Sequence, residues 1–259
     1  MCRFIGWIGQ KRYLEDLVFA PDHSLVHQSR NALICKSPVN ADGFGLAWYL
    51  NREEPCLYKD THPAWSDANL KQISHQTNAS LFLAHVRAST GTATSRNNCH
   101  PFSCTNWSFM HNGQVGGHEK IRRNLDAQIA ERFYPFRYGA TESESIFLTA
   151  MSKGLSEQPI SAMAEAVGLA ESLSRCTGNT PHMRFSACWS DGETIYAARY
   201  ASDAFAPSLC YQLTGEGVVV SSEPLSEDTQ NWIHVEPGEA IIATKTKVMH
   251  KRFLVSTSP

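Results

Sequence analysis

A cysteine stands second in the sequence, directly ahead of the apolar run RFIGWIG. An initiator methionine is generally removed when the next side chain is small, and Cys2 would then carry a thiol and a free α-amine on one residue. Three further clusters hold residue types suited to a reaction at a carbonyl. AHVRAST places Arg87 among small residues, where its planar guanidinium offers a fork for a carboxylate. FMHNGQ sets Asn112 beside Gly113, so a side-chain amide and a backbone N–H can point at one developing oxyanion. TESE puts Glu142 and Glu144 in the first turn of a helix, where the dipole favours carboxylates whatever their role. Each cluster also has a plainer reading: Arg87 as a surface salt-bridge partner, HNG as a hairpin turn, and NADGFG at 40–45 as an ordinary turn leading into a strand. Arg3, His85, His100 and His111 are chemically capable too. The histidines alternate with apolar residues or precede proline, however, and are expected to make structural hydrogen bonds.

Several strands must position these clusters. CRFIGWIG, FGLAWYL (44–50) and LFLAHVRAS (81–89) read as buried strands, and WSFMHNG (107–113) as a fourth that breaks at the turn dipeptide Asn112-Gly113. A hairpin over 187–201 turns at Asp191-Gly192, and CYQLTGEGVVVSS and EAIIATKTKVMH supply more strand. The clearest helix starts at Thr141, three residues before Glu144 in a capping-box arrangement, and ends at Gly154. Helical patterns also cover about 118–133 and about 157–174, and DTHPAW (60–65) reads as a packed loop. Strands, then helices, then strands again indicate an α+β layered domain. GxGxxG and GxxxxGK[ST] are both absent, so no nucleotide cofactor is expected.

Composition narrows the function classes. With 259 residues, 42% hydrophobic and 19% charged, residues 1–259 are expected to form one domain. A net charge of −2 supplies no basic face for nucleic acid, and no apolar run approaches the length of a membrane span. The N-terminus lacks a secretory pattern. The 8 cysteines are scattered without a CxxC pair, and Cys99 and Cys104 match no zinc spacing, so no metal is expected and reduced thiols in the cytoplasm fit best.

Taken together, the clusters resemble the class II, N-terminal-nucleophile glutamine amidotransferases. That family starts at a cysteine exposed by processing and then carries H-x-R, H-N-G and D-[ST]-E segments; here MCRFIG, AHVRAST, FMHNG and TESE appear in that order. The resemblance extends through SSEP at 221–224 and WIHVEPGEAII at 232–242, nearly the whole chain. NADGFGLAWY, NNCHPFS and FMHNGQ look like the short stand-alone branch, related to the ergothioneine-pathway γ-glutamyl amidohydrolase and the glutathione-degrading γ-glutamyl enzyme. No acceptor domain of the synthase kind is expected to follow.

The resemblance implies a four-layer αββα sandwich and a γ-glutamyl amide hydrolase or transferase. It makes Cys2 the nucleophile, with its α-amine, of ordinary pKa near ~8, taking the proton of a thiol near ~8.5. Asn112 and Gly113 become the oxyanion site, Arg87 the carboxylate binder, and Glu142 the ammonium binder where the family usually has aspartate. The partner is a small molecule, glutamine or a γ-glutamyl compound, with a separate acceptor subunit as a further possibility. A non-catalytic glutamyl-binding or partner-subunit module of the same fold is the alternative, and a glutaminase assay on processed protein separates the two.

Overall fold

The first strand, β1 (Arg3–Tyr13), divides the molecule by its alternation. Ile5 and Trp7 point into one hydrophobic cluster, while Phe4 and Ile8 point into another on the opposite face. The computed structural model describes residues 2–34, 38–89 and 91–257. Met1, whose loss the reading of Cys2 requires, lies outside the described residues, as do Cys35 and the Thr90 of AHVRAST.

β1 sits centrally in a 7-stranded antiparallel sheet. Its other members are β2 (Phe44–Trp48), β3 (Cys56–Asp60), β4 (Asn78–Val86), β9 (Cys210–Leu213), β10 (Gly217–Ser221) and β11 (Ile233–His234), ordered β11-β9-β10-β1-β4-β2-β3. A 6-stranded antiparallel sheet lies against it, ordered β13-β12-β8-β7-β6-β5. It is built from β5 (Phe102–Cys104), β6 (Trp107–Val115), β7 (Met183–Ser190), β8 (Ile195–Ala201), β12 (Glu239–Ala243) and β13 (Val248–Arg252). Phe4, Ile8, Leu83, Met110, Cys188 and Ile241 fill the space between the sheets. Helices α1 (Glu15–Val18), α2 (Leu25–Arg30) and α3 (Ala68–Gln76) cover the first sheet through Leu17, Leu25 and Leu70. Helices α4 (His118–Asp126), α5 (Glu142–Ser152) and α6 (Pro159–Arg175) cover the second through Leu125, Phe147 and Val167. The layers run α, β, β, α, as the resemblance implied. Each fully buried large side chain, such as Trp7 or Phe147, contributes roughly 1.5–3 kcal/mol.

Three local expectations change. Asn112-Gly113 is not a turn, because β6 continues to Val115 and pairs Asn112 with Ser186 and Gly113 with Phe185 on β7. The ladder with β7, continuous from Ser108 to Val115, outweighs the turn preference of the dipeptide. The capping box at α5 is half formed: Thr141 Oγ1 accepts from Glu144 N at 3.3 Å, but the Glu144 carboxylate turns instead to Arg137 and to Gly139 N at 2.8 Å. The pattern over about 118–133 yields a helix only to Asp126.

Candidate active site

Side-chain alternation brings the chemically capable residues to one end of the space between the sheets. On β1 the even positions face inward, and Cys2 continues that face one residue before the first ladder pair, Arg3 with Val86. On β4 the inward face carries Leu81 and Leu83, which puts His85 on it and Arg87 just past the strand end. On β6 Asn112 shares the inward face of Met110. β5 pairs β6 only from Trp107 to Phe109, so from His111 onward that edge of β6 has no strand partner among the described residues. Such an edge presents alternate N–H groups to whatever lies beside it.

NADGFG ties these pieces together. Arg87 N donates to Gly43 O at 2.8 Å and Asp42 N to Arg87 O at 3.0 Å, while Asp42 Oδ2 accepts from Ser89 N at 2.7 Å. Gly43 has φ +115°, and a Cβ on Gly45 would lie 2.2 Å from His100 O. Both glycines are therefore required by the backbone.

A cavity of about 50 Å³ results, lined by Cys2, Arg87, His100, His111, Gly113 and Glu142 among others. This is room for one or two waters. Arg87 limits it, since Nη2 donates to Ser89 Oγ at 3.0 Å and Thr92 Oγ1 at 2.7 Å. Larger hollows elsewhere, including one of about 850 Å³ beside α4, lack a thiol facing convergent polar groups. Size therefore does not choose the site.

Cys2 Sγ lies 3.6 Å from Ala88 O, and burial raises its pKa against that bond and the nearby cations of Arg87 and Arg3. Burial likewise raises the Glu142 carboxyl, opposed by Arg87 and Arg137. Its Oε2 stands 3.9 Å from His118 Nδ1. Asn112 does not line the cavity. It is fully buried, with neither amide atom hydrogen-bonded among the described residues. A buried amide left without a partner calls for an explanation.

The histidines divide. His111 makes the structural bonds expected of it, accepting from Ser143 Oγ at 2.8 Å through Nδ1 and donating to Arg184 O at 3.2 Å through Nε2. Burial lowers it to about 4. His100 departs from the expectation, with neither ring nitrogen hydrogen-bonded among the described residues. The His85 ring, tilted 35° to that of His100 with centroids 4.3 Å apart, makes no hydrogen bond of good geometry there either, although the His111 backbone lies close enough to oppose the effect of burial on it. His100 also abuts Phe102 at 4.5 Å. Burial takes His85 to about 3 and His100 well below its ordinary range, so both are neutral.

The sequence reading missed Thr92 and Ser143, which also line the cavity. Ser143 directly follows Glu142 and was within reach of the motif. Thr92 was not, because it arrives only through a loop whose fold depends on Asn98. That buried side chain donates to Ala93 O at 2.8 Å and accepts from Ala140 N at 2.7 Å, linking the Arg87 loop to the start of α5.

The sequence pattern of the class II glutamine amidotransferases matches residues 26–209, well over half of the chain. The chain belongs to the class II glutamine amidotransferases. This amidotransferase is 30% identical to the "Probable glutamine amidotransferase DUG3" of Saccharomyces cerevisiae, over 96% of this chain and 83% of that one. It is 27% identical to the γ-glutamyl-hercynylcysteine sulfoxide hydrolase of Mycolicibacterium smegmatis, over 88% and 89%. Among solved structures, the glutamine aminotransferase class-II domain protein from Silicibacter pomeroyi matches with a TM-score of 0.81 and 40% identity, covering 98% of this chain and 100% of that chain. The glutamine phosphoribosylpyrophosphate amidotransferase of B. subtilis matches with a TM-score of 0.65 at 16% identity, covering 99% of this chain and 50% of that chain, which speaks to the fold alone. Amidotransferase and amidohydrolase chemistry is therefore the activity of the class, and the αββα sandwich is its fold. No helix among the described residues is long and apolar enough to cross a membrane.

Proposed function

We propose that the amidotransferase hydrolyses or transfers a γ-glutamyl amide with Cys2 as nucleophile once Met1 is removed. The observation carrying this reading is the convergence of Cys2, Arg87, Gly113 and Glu142 on one small cavity. The α-amine of Cys2 accepts the thiol proton, and the thiolate attacks the γ-carbonyl. The Asn112 amide and a β6 backbone N–H at Gly113 receive the oxyanion, which supplies the buried amide with an acceptor. The amine leaves with a proton, and water or a second amine then releases the glutamyl group from the thioester. Arg87 binds the α-carboxylate by exchanging Ser89 and Thr92 for it, and Glu142 binds the α-ammonium.

We further propose that the substrate is a γ-glutamyl compound larger than glutamine, a reading supported by the hydrolase relative named above. A separate acceptor subunit would instead make glutamine the best donor, with turnover rising when that partner is added. Residues 1–259 are taken as one domain acting in the cytoplasm, consistent with the free cysteines among the described residues. The test is kcat/KM for glutathione and glutamine side by side. Glutathione or another γ-glutamyl peptide is expected to be preferred, and Glu142→Asp to leave the ranking unchanged because it touches only the glutamyl head. A preference for glutamine of about tenfold, roughly 1.4 kcal/mol in transition-state binding, would contradict the substrate assignment.

A further inference from the structure

The nucleophile stands one residue outside the sheet. The β1–β4 ladder begins at Arg3 paired with Val86, so the carbonyl of Cys2 has no place in it. A side chain holds it instead: Arg3 Nη1 donates to Cys2 O at 2.7 Å. The same guanidinium donates through Nη2 to Ile34 O at 2.7 Å and through Nε to Glu223 Oε1 at 2.6 Å. Arg3 is fully buried and Glu223 is 1% exposed. The Glu223 carboxylate is also saturated, accepting from Leu33 N and Ile34 N at 3.0 Å each and meeting His23 Nε2 at 2.8 Å. The backbone leading to Glu223 is fixed as well, with Ser222 N donating to Phe4 O at 3.0 Å and Ser222 Oγ accepting from Phe4 N at 3.1 Å.

We infer that Arg3 and Glu223 are positioning residues for the reaction, holding the Cys2 backbone and the Leu33–Ile34 strand of loop beside it in one fixed relation. The inference rests on the reading of Cys2 as nucleophile. Removal of Met1 would free Cys2 on its amino side, leaving the carbonyl bond to Arg3, beside the Sγ contact with Ala88 O, to limit rotation of the residue carrying both thiol and amine. One guanidinium with three donor nitrogens in a rigid plane serves three acceptors at once. An ammonium presents a single point charge and cannot hold the same three directions. A burial pattern of this kind also suits a purely structural ion pair, and the two roles differ in what they do to kcat.

The experiment compares Arg3→Lys, which keeps a cation against Glu223, and Glu223→Gln with the processed parent. Steady-state kinetics, the rate of iodoacetamide alkylation at Cys2 followed by peptide mass, and thermal melting are measured on each. Misplacement by about 1 Å is enough to lower kcat roughly 10²-fold. The inference expects folded Arg3→Lys protein to lose kcat by roughly 10–100-fold with KM little changed, and the pH dependence of Cys2 alkylation to shift. Unchanged kcat and alkylation in folded protein, or a loss carried by KM alone, would overturn it. If neither single variant folds, Arg3→Gln with Glu223→Gln leaves no buried charge unpaired. That double variant should fold and still lose kcat, whereas parental kcat would overturn the inference. Cys2→Ala separates the two levels: activity surviving in that variant defeats the nucleophile reading, whereas an inactive Cys2→Ala beside a fully active Arg3→Lys defeats the positioning role alone.

Discussion

Two side chains, one on β6 and one just past the end of β4 in the facing sheet, are predicted to act at different stages of the reaction. Asn112 is buried with no hydrogen-bond partner among the described residues, so its amide gains most when an oxyanion forms. Asn112→Ala should lower kcat by roughly 10²–10³, about 2.7–4 kcal/mol, with KM nearly unchanged. Arg87 reaches the cavity while bound to Ser89 and Thr92, groups a carboxylate would replace. Arg87→Ala should raise KM instead. Steady-state kinetics on both variants check the contrast, and equal small effects would place the reaction elsewhere. That Cys2, Arg87 and Glu142 would come together was legible through the short motifs that carry the family resemblance, and the structure brings all three to one cavity. Arg3 stood in the same motif as Cys2, but the positioning role inferred for it rests on a bond to Glu223, 220 residues away. Sequence spacing cannot show that contact.

At the scale of elements, the local signal at Asn112-Gly113 misled because a turn dipeptide is weighed without its neighbours. β7 pairs β6 from Ser108 to Val115, and this ladder carries the dipeptide through as strand. Gly113 is nevertheless required there. A Cβ would lie 1.9 Å from Arg184 O and 2.3 Å from His111 Nε2, and the first of these is backbone of the neighbouring strand. Gly113→Ala is therefore predicted to push β6 away from β7, at a cost of about 1–3 kcal/mol, and to move the Asn112 amide with it. The melting temperature should fall by several degrees and kcat should drop further than the lost stability explains. Wild-type melting and activity in this variant would show that the strand spacing is not what sets the site. The long strands and α6 were readable from periodicity, whereas α1 and α2, with 4 and 6 residues, are too short to show one.

Across the whole molecule, three neutral histidines are buried around the site, His85 between the sheets, His111 on the α5 side of β6 and His100 just before β5, and this couples folding to pH. His85 and His111 are lowered to about 3 and about 4 by burial, and His100 also falls well below its ordinary value. Unfolded histidine titrates near 6.5, so below that pH the unfolded chain binds more protons than the folded one. Stability is thus full above about 6.5 and declines as pH falls toward 4, by up to about 1.4 kcal/mol per pH unit for each histidine. Glu223, lowered to about 2 chiefly by His23 and Arg3 against its burial, adds stability that is present above about 4.5 and is lost on further acidification. Thermal melting from pH 7.5 to 4 should show a decline that begins near 6.5 rather than near 4.5. A flat profile down to pH 5 would mean these rings are protonated or solvated in the folded protein. The layered architecture was legible from the order of strands and helices, whereas the close pair of His85 on β4 and His100 just before β5 emerged only once that strand and loop were placed.

The transfer of a γ-glutamyl group to the thiol of Cys2 is the covalent event on which the proposed function rests. Protein processed to begin at Cys2 is mixed with excess glutathione, quenched in acid within the first turnover, and mapped by peptide mass spectrometry. The predicted result is a glutamyl adduct on the N-terminal peptide, absent from Cys2→Ala and absent from protein that keeps Met1. Full turnover by protein that retains Met1, or an adduct on any other residue, would contradict it.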